Sequence, residues 1–148
     1  RTGLRVLIGH AVDSAVALRE LIVDEPALEW LNSENVGPVT LFRAYPRDLA
    51  TSDYIARERT DATCRETFLR VNEFNRAVYR RVYGEALKGQ GVAISLTECY
   101  RETSYGAPVV ALKSFVLSPF SDRDRMQTMV DRVLAAAAAE EETYVANV

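Results

Sequence analysis

Residues 92–117, VAISLTECYRETSYGAPVVALKSFVL, contain two apolar runs separated by a short loop. In the first run, 92–101, apolar residues alternate with smaller or polar ones, which is the two-residue period of a strand. The second run, 109–117, is again apolar and rich in β-branched residues, and Gly106 lies in the loop between the two. Two such runs joined by a short loop with glycine predict an antiparallel hairpin.

A third strand is predicted upstream, at residues 39–45, where the sequence VTLFRAY is again apolar and partly β-branched. Pro46 ends it, because proline has no amide hydrogen to contribute to a sheet. Residues 47–62, which are rich in Arg, Asp, Ser and Thr, are expected to form a polar loop. The stretch 27–31, between Pro26 and the next turn, is expected to add one helical turn.

Three amphipathic helices are predicted at 4–24, 64–87 and 122–140, because apolar residues recur there every three or four positions. The apolar stripe of the first helix consists of Leu4, Ile8, Ala11, Ala15, Leu18 and Ile22. The order helix, strand, helix, strand, strand, helix predicts an α+β fold, in which long amphipathic helices cover a small antiparallel sheet of three or more strands. Residues 1–148 are expected to form a single domain.

Local signals indicate where the second and third helices begin and end. Thr63-Cys-Arg-Glu66 has the form of a capping box, in which the threonine and glutamate side chains bind the first free amides of a helix. Gly89 and Gly91 follow the second helix, and glycine readily adopts the left-handed conformation found beyond helix ends. Ser121-Asp-Arg-Asp124 is a weaker capping arrangement before the third helix.

Composition excludes several classes of partner. The 18 basic and 21 acidic residues give a net charge of −3, so no basic surface is expected for nucleic acid. No apolar run approaches the roughly 18 residues that a membrane span needs. Cys64 and Cys99 are too few for a disulfide scaffold and lack metal-ligand spacing, which favours a cytoplasmic protein. The chain begins Arg1-Thr2-Gly3 and is already helical in pattern from Leu4, so we expect it to be a piece of a longer protein.

No complete active site is evident in the sequence. The chain's one histidine, His10, has Asp13 three residues later, but no serine or cysteine nucleophile is tied to the pair. A lone histidine in a helix is usually structural. Gly89-Gln-Gly91 follows a helix and precedes a strand, which is the wrong order for a phosphate-binding loop. We therefore predict no catalytic, cofactor-binding or metal-binding residue in this chain.

The two lysines are the remaining candidates for binding a ligand. Lys88 lies at a helix end, where a cation suits the helix dipole. Lys113 lies in the last predicted strand, on the same side as apolar residues that include Ala111 and Phe115. Its ammonium group could reach an anionic ligand, or its stem could cover apolar surface while the charge faces solvent.

Four segments in sequence order carry a resemblance to a known family. They are Val39-Thr-Leu-Phe-Arg-Ala-Tyr-Pro46, Val71-Asn-Glu-Phe-Asn75, Gly91-Val-Ala-Ile-Ser-Leu-Thr97 and Val110-Ala-Leu-Lys-Ser-Phe-Val-Leu-Ser-Pro119. Their order and spacing resemble the C-terminal small domain of the group II pyridoxal-phosphate-dependent decarboxylases, which act on amino acids such as glutamate, aromatic amino acids and diaminobutyrate. The resemblance extends over about residues 1–139.

The resemblance implies a parent enzyme with pyridoxal 5'-phosphate held by a lysine that follows a histidine. His10 is followed by Ala11, so the residues that hold the cofactor are expected upstream, and this chain alone is expected to be inactive. The implied partners are the chain's own large domain, a second copy in a homodimer and an amino-acid substrate. Several family members have an arginine that helps hold the substrate carboxylate, and Lys113 stands at the apparent equivalent, as a point charge rather than a bidentate fork.

Two alternatives remain open from the residues alone. One is a free-standing α+β module that recognises a small anionic metabolite through Lys113 and Arg43. The other is an oligomerisation domain without a ligand. If the chain is instead a piece of the decarboxylase, one sheet face and the first helix should expose apolar surface that the large domain would cover.

Overall fold

The computed structural model describes residues 2–89, 92–116, 118 and 120–146, with the backbone alone for Thr2 and 144–146. The elements in chain order are α1 (Thr2–Val23), β1 (Leu28–Trp30), β2 (Val39–Ala44), α2 (Ser52–Arg57), a 3-10 turn (Ala62–Cys64), α3 (Arg65–Leu87), β3 (Ser95–Thr97), β4 (Ala111–Phe115) and α4 (Arg123–Ala146). The fold is α+β, as the sequence predicts.

The four described strands form one antiparallel sheet in the order β1-β2-β4-β3. Leu112 in β4 lies directly opposite Phe42 in β2 and Leu96 in β3. These three side chains join the main core, to which α1, α3 and α4 contribute Leu18, Ile22, Phe74, Val78, Val82, Met126, Met129, Val130 and Val133. Burying each aliphatic side chain stabilises the fold by roughly 1.5–3 kcal/mol, so this layer fixes the three long helices on one face of the sheet.

Strand β1 replaces the helical turn expected at residues 27–31. The Leu31 amide donates to the Leu41 carbonyl at 2.8 Å, and the Tyr45 amide donates to the Ala27 carbonyl at 2.9 Å. Leu28 faces the helices and is buried. The prediction was wrong because pairing with β2 satisfies the backbone of this stretch, which outweighs its local preference.

The predicted hairpin is confirmed, although its regular strands are shorter than 92–101 and 109–117. Thr97 pairs with Ala111, and a separate bridge joins Glu102 to Pro108. Four residues, 98–101, therefore lie opposite two, 109 and 110, which interrupts the ladder in the manner of a bulge. The predicted end of the second strand, Leu117, lies outside the described residues.

The segment predicted as a polar loop, 47–62, contains the short helix α2 and the start of the 3-10 turn. Thr51 caps α2, because its hydroxyl accepts from the Tyr54 amide at 3.3 Å. The capping box predicted at Thr63–Glu66 was wrong. Asp61 instead accepts from the Thr63 amide at 2.9 Å and thereby begins the 3-10 turn, and α3 follows without a side-chain cap.

Helix ends elsewhere follow the predicted signals. Gly89 has a φ of 75° and follows Lys88, the C-cap residue of α3, whereas Gly91 lies outside the described residues. Asp122 accepts from the Arg125 amide at 2.9 Å and caps the start of α4. That helix continues six residues beyond the predicted end at residue 140, to Ala146, because alanine and glutamate favour helix and Glu140 pairs with Arg81 of α3.

Arg19 fastens α1 to the edge of the sheet. Its guanidinium lies 5.1 Å from the centre of the Trp30 ring. It also donates to the Thr40 hydroxyl at 3.2 Å and to the Val39 carbonyl at 3.0 Å. These contacts orient the buried part of α1 against β1 and β2.

The first two turns of α1 extend beyond the core. The apolar stripe is buried from Ala11 onward, but residues 3–9 are all exposed. The exposed aliphatic side chains, which we call the apolar start of α1, are Leu4, Val6, Leu7 and Ile8. In the part of the chain that the structure describes, no helix has the length and apolar character to cross a membrane.

Candidate functional site

The face of the sheet opposite the main core is partly open to solvent, although Phe68 from the start of α3 packs on one part of it. Strand alternation directs Leu41 and Lys113, which lie opposite each other, to this face, because their neighbours Phe42 and Leu112 enter the helix-covered core. The half-buried or exposed residues here, which we call the open face, are Val39, Leu41, Ser95, Thr97, Lys113 and Phe115. Phe115 is 52% exposed. An apolar residue so exposed beside a lysine marks the face as a candidate binding surface.

Lys113 is half-buried on the open face, between Leu41 of β2 and Ser95 of β3. Among the described residues, no carboxylate pairs with its ammonium group. The side chain therefore has apolar cover for its stem and a charge that is available to an anion arriving at this face. The sequence correctly predicts the side of the strand on which Lys113 lies, and its role in binding stays a prediction.

Arg43 shares the side of the sheet with Leu41 but does not reach the surface. Its side chain is completely buried, and its Nη1 donates to Asn72 Oδ1 at 2.9 Å and to the Val110 carbonyl at 3.4 Å. The guanidinium also lies over the Phe68 ring, 4.6 Å from its centre. This burial contradicts the alternative in which Arg43 and Lys113 together recognise a small anion.

A group of buried and half-buried polar side chains surrounds Arg43. The members of this polar cluster are Glu29, Arg43, Tyr45, Tyr54, Glu58 and Arg59. Glu58 Oε2 lies 3.8 Å from Arg43 Nη2, and Glu29 pairs with Arg59. The Tyr45 hydroxyl oxygen lies 2.7 Å from Glu29 Oε2 and 2.8 Å from Glu58 Oε1.

Burial governs the ionisation of Tyr45, Tyr54 and Glu58 in this polar cluster. It raises the pKa of Glu58 even though Arg43 and the Tyr45 hydroxyl favour the charged form. Burial likewise raises the pKa of Tyr45 and of Tyr54, so both phenols stay protonated. Sequence reasoning missed the cluster, because Glu58 and Tyr54 fall in the predicted polar loop. Their spacing of four residues after a threonine was the available signal for a short helix with one buried side.

Two asparagines of α3 form hydrogen bonds with backbone groups at the end of β2 and just before β4. The Asn75 amide accepts from the Ala44 amide at 2.9 Å and donates to the Ala44 carbonyl at 2.8 Å. Asn72 accepts from the Val110 amide at 3.2 Å and donates to the Pro108 carbonyl at 2.8 Å. Both asparagines lie in the motif Val71–Asn75, and their contacts give that motif a structural role in the sheet.

The other residues singled out in the sequence do not assemble into a site. His10 is half-buried in α1, Cys64 is buried and Cys99 is exposed, and both thiols are free. Within the described ranges, no group of three or more His, Cys, Asp or Glu side chains is placed to hold a metal ion. Lys88 is exposed beyond α3, and neither it nor Lys113 follows a histidine. Neither lysine therefore has the preceding histidine that the resemblance implies for a cofactor lysine, and the absence of a cofactor-binding residue in this chain stays a prediction.

Comparison with known proteins finds solved structures that have the same fold. No family model and no curated protein matches the chain by sequence. Among solved structures, the chain matches Oryza sativa TDC with PLP at a TM-score of 0.66 and 14% identity, over 95% of this chain and 24% of that one. It matches the TDC complex with PLP and tryptamine at a TM-score of 0.63 and 14% identity, over 91% and 23%.

A structure from Vibrio parahaemolyticus shows the same fold. It is the glutamate decarboxylase domain of diaminobutyrate-pyruvate transaminase and L-2,4-diaminobutyrate decarboxylase. Its TM-score is 0.60 at 16% identity, over 90% of this chain and 22% of that one. Two of the three structures contain PLP, and the third is a decarboxylase domain. The chain thus spans about a quarter of the length of these larger proteins, and it has the same fold as that part of them.

Proposed function

We propose that this chain is the small domain of a pyridoxal-phosphate-dependent amino-acid decarboxylase, and that the cofactor-binding large domain lies upstream in the same polypeptide. The observation that carries the proposal is the fold shared, over nearly the whole chain, with about a quarter of three such enzymes. Under this proposal the cofactor, and the residues that hold it, belong to the large domain, and the 148-residue chain alone is inactive.

Two exposed apolar surfaces support a large partner domain. In the apolar start of α1, the exposed fractions of Leu4, Val6, Leu7 and Ile8 are 66%, 64%, 46% and 55%. Two helical turns with so little of their side chains buried gain little stability in water from their own hydrogen bonds. On the open face, Phe115 adds a half-exposed aromatic ring. We propose that the large domain covers both surfaces and that the parent enzyme is a cytoplasmic homodimer.

Within this proposal, Lys113 is the residue of this chain that contacts the substrate. Its place on the open face, without a carboxylate partner among the described residues, leaves its charge free for the α-carboxylate of an amino acid. The small domain would then border the entrance of the active site and help to orient the carboxylate before it leaves as carbon dioxide. The contrasting possibility is a solvent-facing lysine that only covers apolar surface.

The experiment that tests this function uses the complete natural polypeptide. Its transcript should encode a large domain with a His-Lys pair upstream of this segment. The purified protein should release carbon dioxide from an amino acid when pyridoxal phosphate is added, whereas the 148-residue chain should not. A natural protein that begins near Arg1, or a full-length protein that does not bind the cofactor, would contradict the proposal.

A further inference from the structure

Tyr45 contacts two carboxyl groups, and its one hydroxyl hydrogen cannot form a hydrogen bond with both of them when both are ionised. Its hydroxyl oxygen lies within hydrogen-bond distance of both Glu29, at 2.7 Å, and Glu58, at 2.8 Å. A phenol has one hydrogen to donate, and an ionised carboxylate has none. If both carboxylates were ionised, one of them would face the lone pairs of the Tyr45 oxygen without a hydrogen between them. The group therefore needs one proton more than its ionised form contains.

Burial and the nearest cations indicate which carboxyl group holds that proton. The second oxygen of Glu29 pairs with Arg59, and its side chain is 19% exposed. Glu58 is completely buried, and its distance of 3.8 Å from Arg43 Nη2 exceeds that of a hydrogen bond. Arg43 instead directs Nη1 at Asn72. Keeping a negative charge therefore costs less free energy at Glu29 than at Glu58. Glu58 is the carboxyl group that we expect to hold the proton.

We propose that Glu58 binds a proton in the folded chain at pH values at which an exposed glutamate is ionised, and that this proton acts as a latch between three segments. Glu58 donates to Tyr45, and Tyr45 donates to Glu29. Glu58 follows α2, Tyr45 follows β2 and Glu29 lies in β1, so the chain of hydrogen bonds fastens the segment 51–58 to the sheet. Loss of the proton leaves a buried charge and breaks one link.

The surroundings determine the pH at which the latch opens. The titratable or charged groups around Glu58 are Glu29 of β1, Arg43 of β2, Tyr45 directly after β2, Tyr54 of α2, Arg59, Cys64 of the 3-10 turn and Tyr105 of the hairpin loop, whose hydroxyl donates to the Glu58 carbonyl. Burial outweighs the two arginines and raises the pKa of Glu58 above its ordinary 4.5. A raised folded-state pKa adds stability that is complete below the unfolded-state pKa and is lost as the pH rises through the folded-state pKa. The hydrogen bond from Glu58 to Tyr45 is therefore lost when the pH rises above the folded-state pKa of Glu58.

Unfolding in urea, measured at intervals from about pH 5 to about pH 9, tests the latch. Glu58→Gln keeps the side chain neutral and able to donate at every pH. The folding equilibrium constant of the wild type should fall relative to this variant, approaching about tenfold per pH unit until the folded-state pKa is reached. Glu66→Gln, at an exposed position in α3, is the matched control and should follow the wild type. A ratio between wild type and Glu58→Gln that does not change with pH would overturn the proposal.

A second measurement does not depend on the folding of the variant. Carbon-13 NMR of the glutamate side chains in the wild type should show one carboxyl group that remains protonated about one pH unit or more above the others. If every glutamate is ionised by about pH 5.5, there is no latch. If the late-titrating signal disappears in Glu29→Gln and persists in Glu58→Gln, the proton belongs to Glu29 and the assignment to Glu58 is wrong.

Discussion

Asn75 shows how one side chain of α3 stabilises the sheet. Its amide group binds both the N–H and the carbonyl of Ala44, so it replaces a missing strand neighbour at the end of β2. Asn75 is itself fully buried and also donates to the Val71 carbonyl at 2.9 Å. A backbone group buried without a partner costs about 1–3 kcal/mol, so this position has a large effect on stability.

We expect Asn75→Ala to lower the free energy of unfolding by roughly 2–4 kcal/mol, because it leaves both polar groups of Ala44 without a partner. Urea unfolding measures the change. Arg80→Ala, at an exposed position on the same helix, should change stability by no more than about 0.5 kcal/mol. Equal stability of the two variants would show that water readily replaces the amide.

The role of Lys113 in substrate binding can be tested by mutation in the proposed full-length enzyme. If its ammonium group holds the substrate carboxylate in both ground and transition states, Lys113→Ala should raise KM by roughly tenfold or more, because a charged hydrogen bond is worth about 1.5–3 kcal/mol. Steady-state kinetics with the true substrate measure this. Lys88→Ala, at an exposed helix end, is the matched control. An unchanged kcat/KM in correctly folded Lys113→Ala would exclude the role.

Residues of the candidate site differed in how well the sequence predicted them. Alternation along β4 was enough to place Lys113 on the side of Ala111 and Phe115. It was not enough for Arg43, whose partner Asn72 lies 29 positions away and whose burial depends on α3 and the segment 51–58. Long-range partners of a charged residue leave no local pattern in the sequence.

At the scale of elements, the long periodic helices were the easiest to predict. The bounds of α1 and α3 agree with the expected ones to within two residues, because their apolar stripes extend over many turns. Strand β1 was missed, since three residues contain too little pattern to outweigh the preceding helix. The interruption at 98–101 was equally invisible, because it depends on the pairing of the two strands.

The apolar start of α1 should make the isolated chain self-associate. Light scattering should show association that rises with concentration, and the double substitution Leu7→Lys with Ile8→Lys should reduce it. The helix itself is exposed there, so stability should change by less than about 1 kcal/mol. Val23→Lys, at an exposed position near the other end of α1, is the control and should associate like the wild type. A monomeric wild-type chain would contradict the role of this surface.

For the whole molecule, we expect that added pyridoxal phosphate does not form a specific covalent complex with this chain. The exposed Lys88 and the half-buried Lys113 both lack a preceding histidine, so any reaction should be slow and should not select one lysine. Absorbance titration and mass spectrometry of the reduced product measure this. A saturable one-to-one absorbance band that Lys113→Arg abolishes would contradict the assignment of the cofactor to the proposed large domain.

Because Arg19 of α1 stacks on Trp30, the intrinsic fluorescence of this tryptophan reports on the contact between α1 and the sheet. Trp30 is the single tryptophan in the sequence, and its indole Nε1 donates to Asn32 Oδ1 at 2.9 Å. Its fluorescence therefore comes from one place, where α1 meets the edge of the sheet. A change in the wavelength of its emission would report the departure of α1 from β1 without any dye or engineered label.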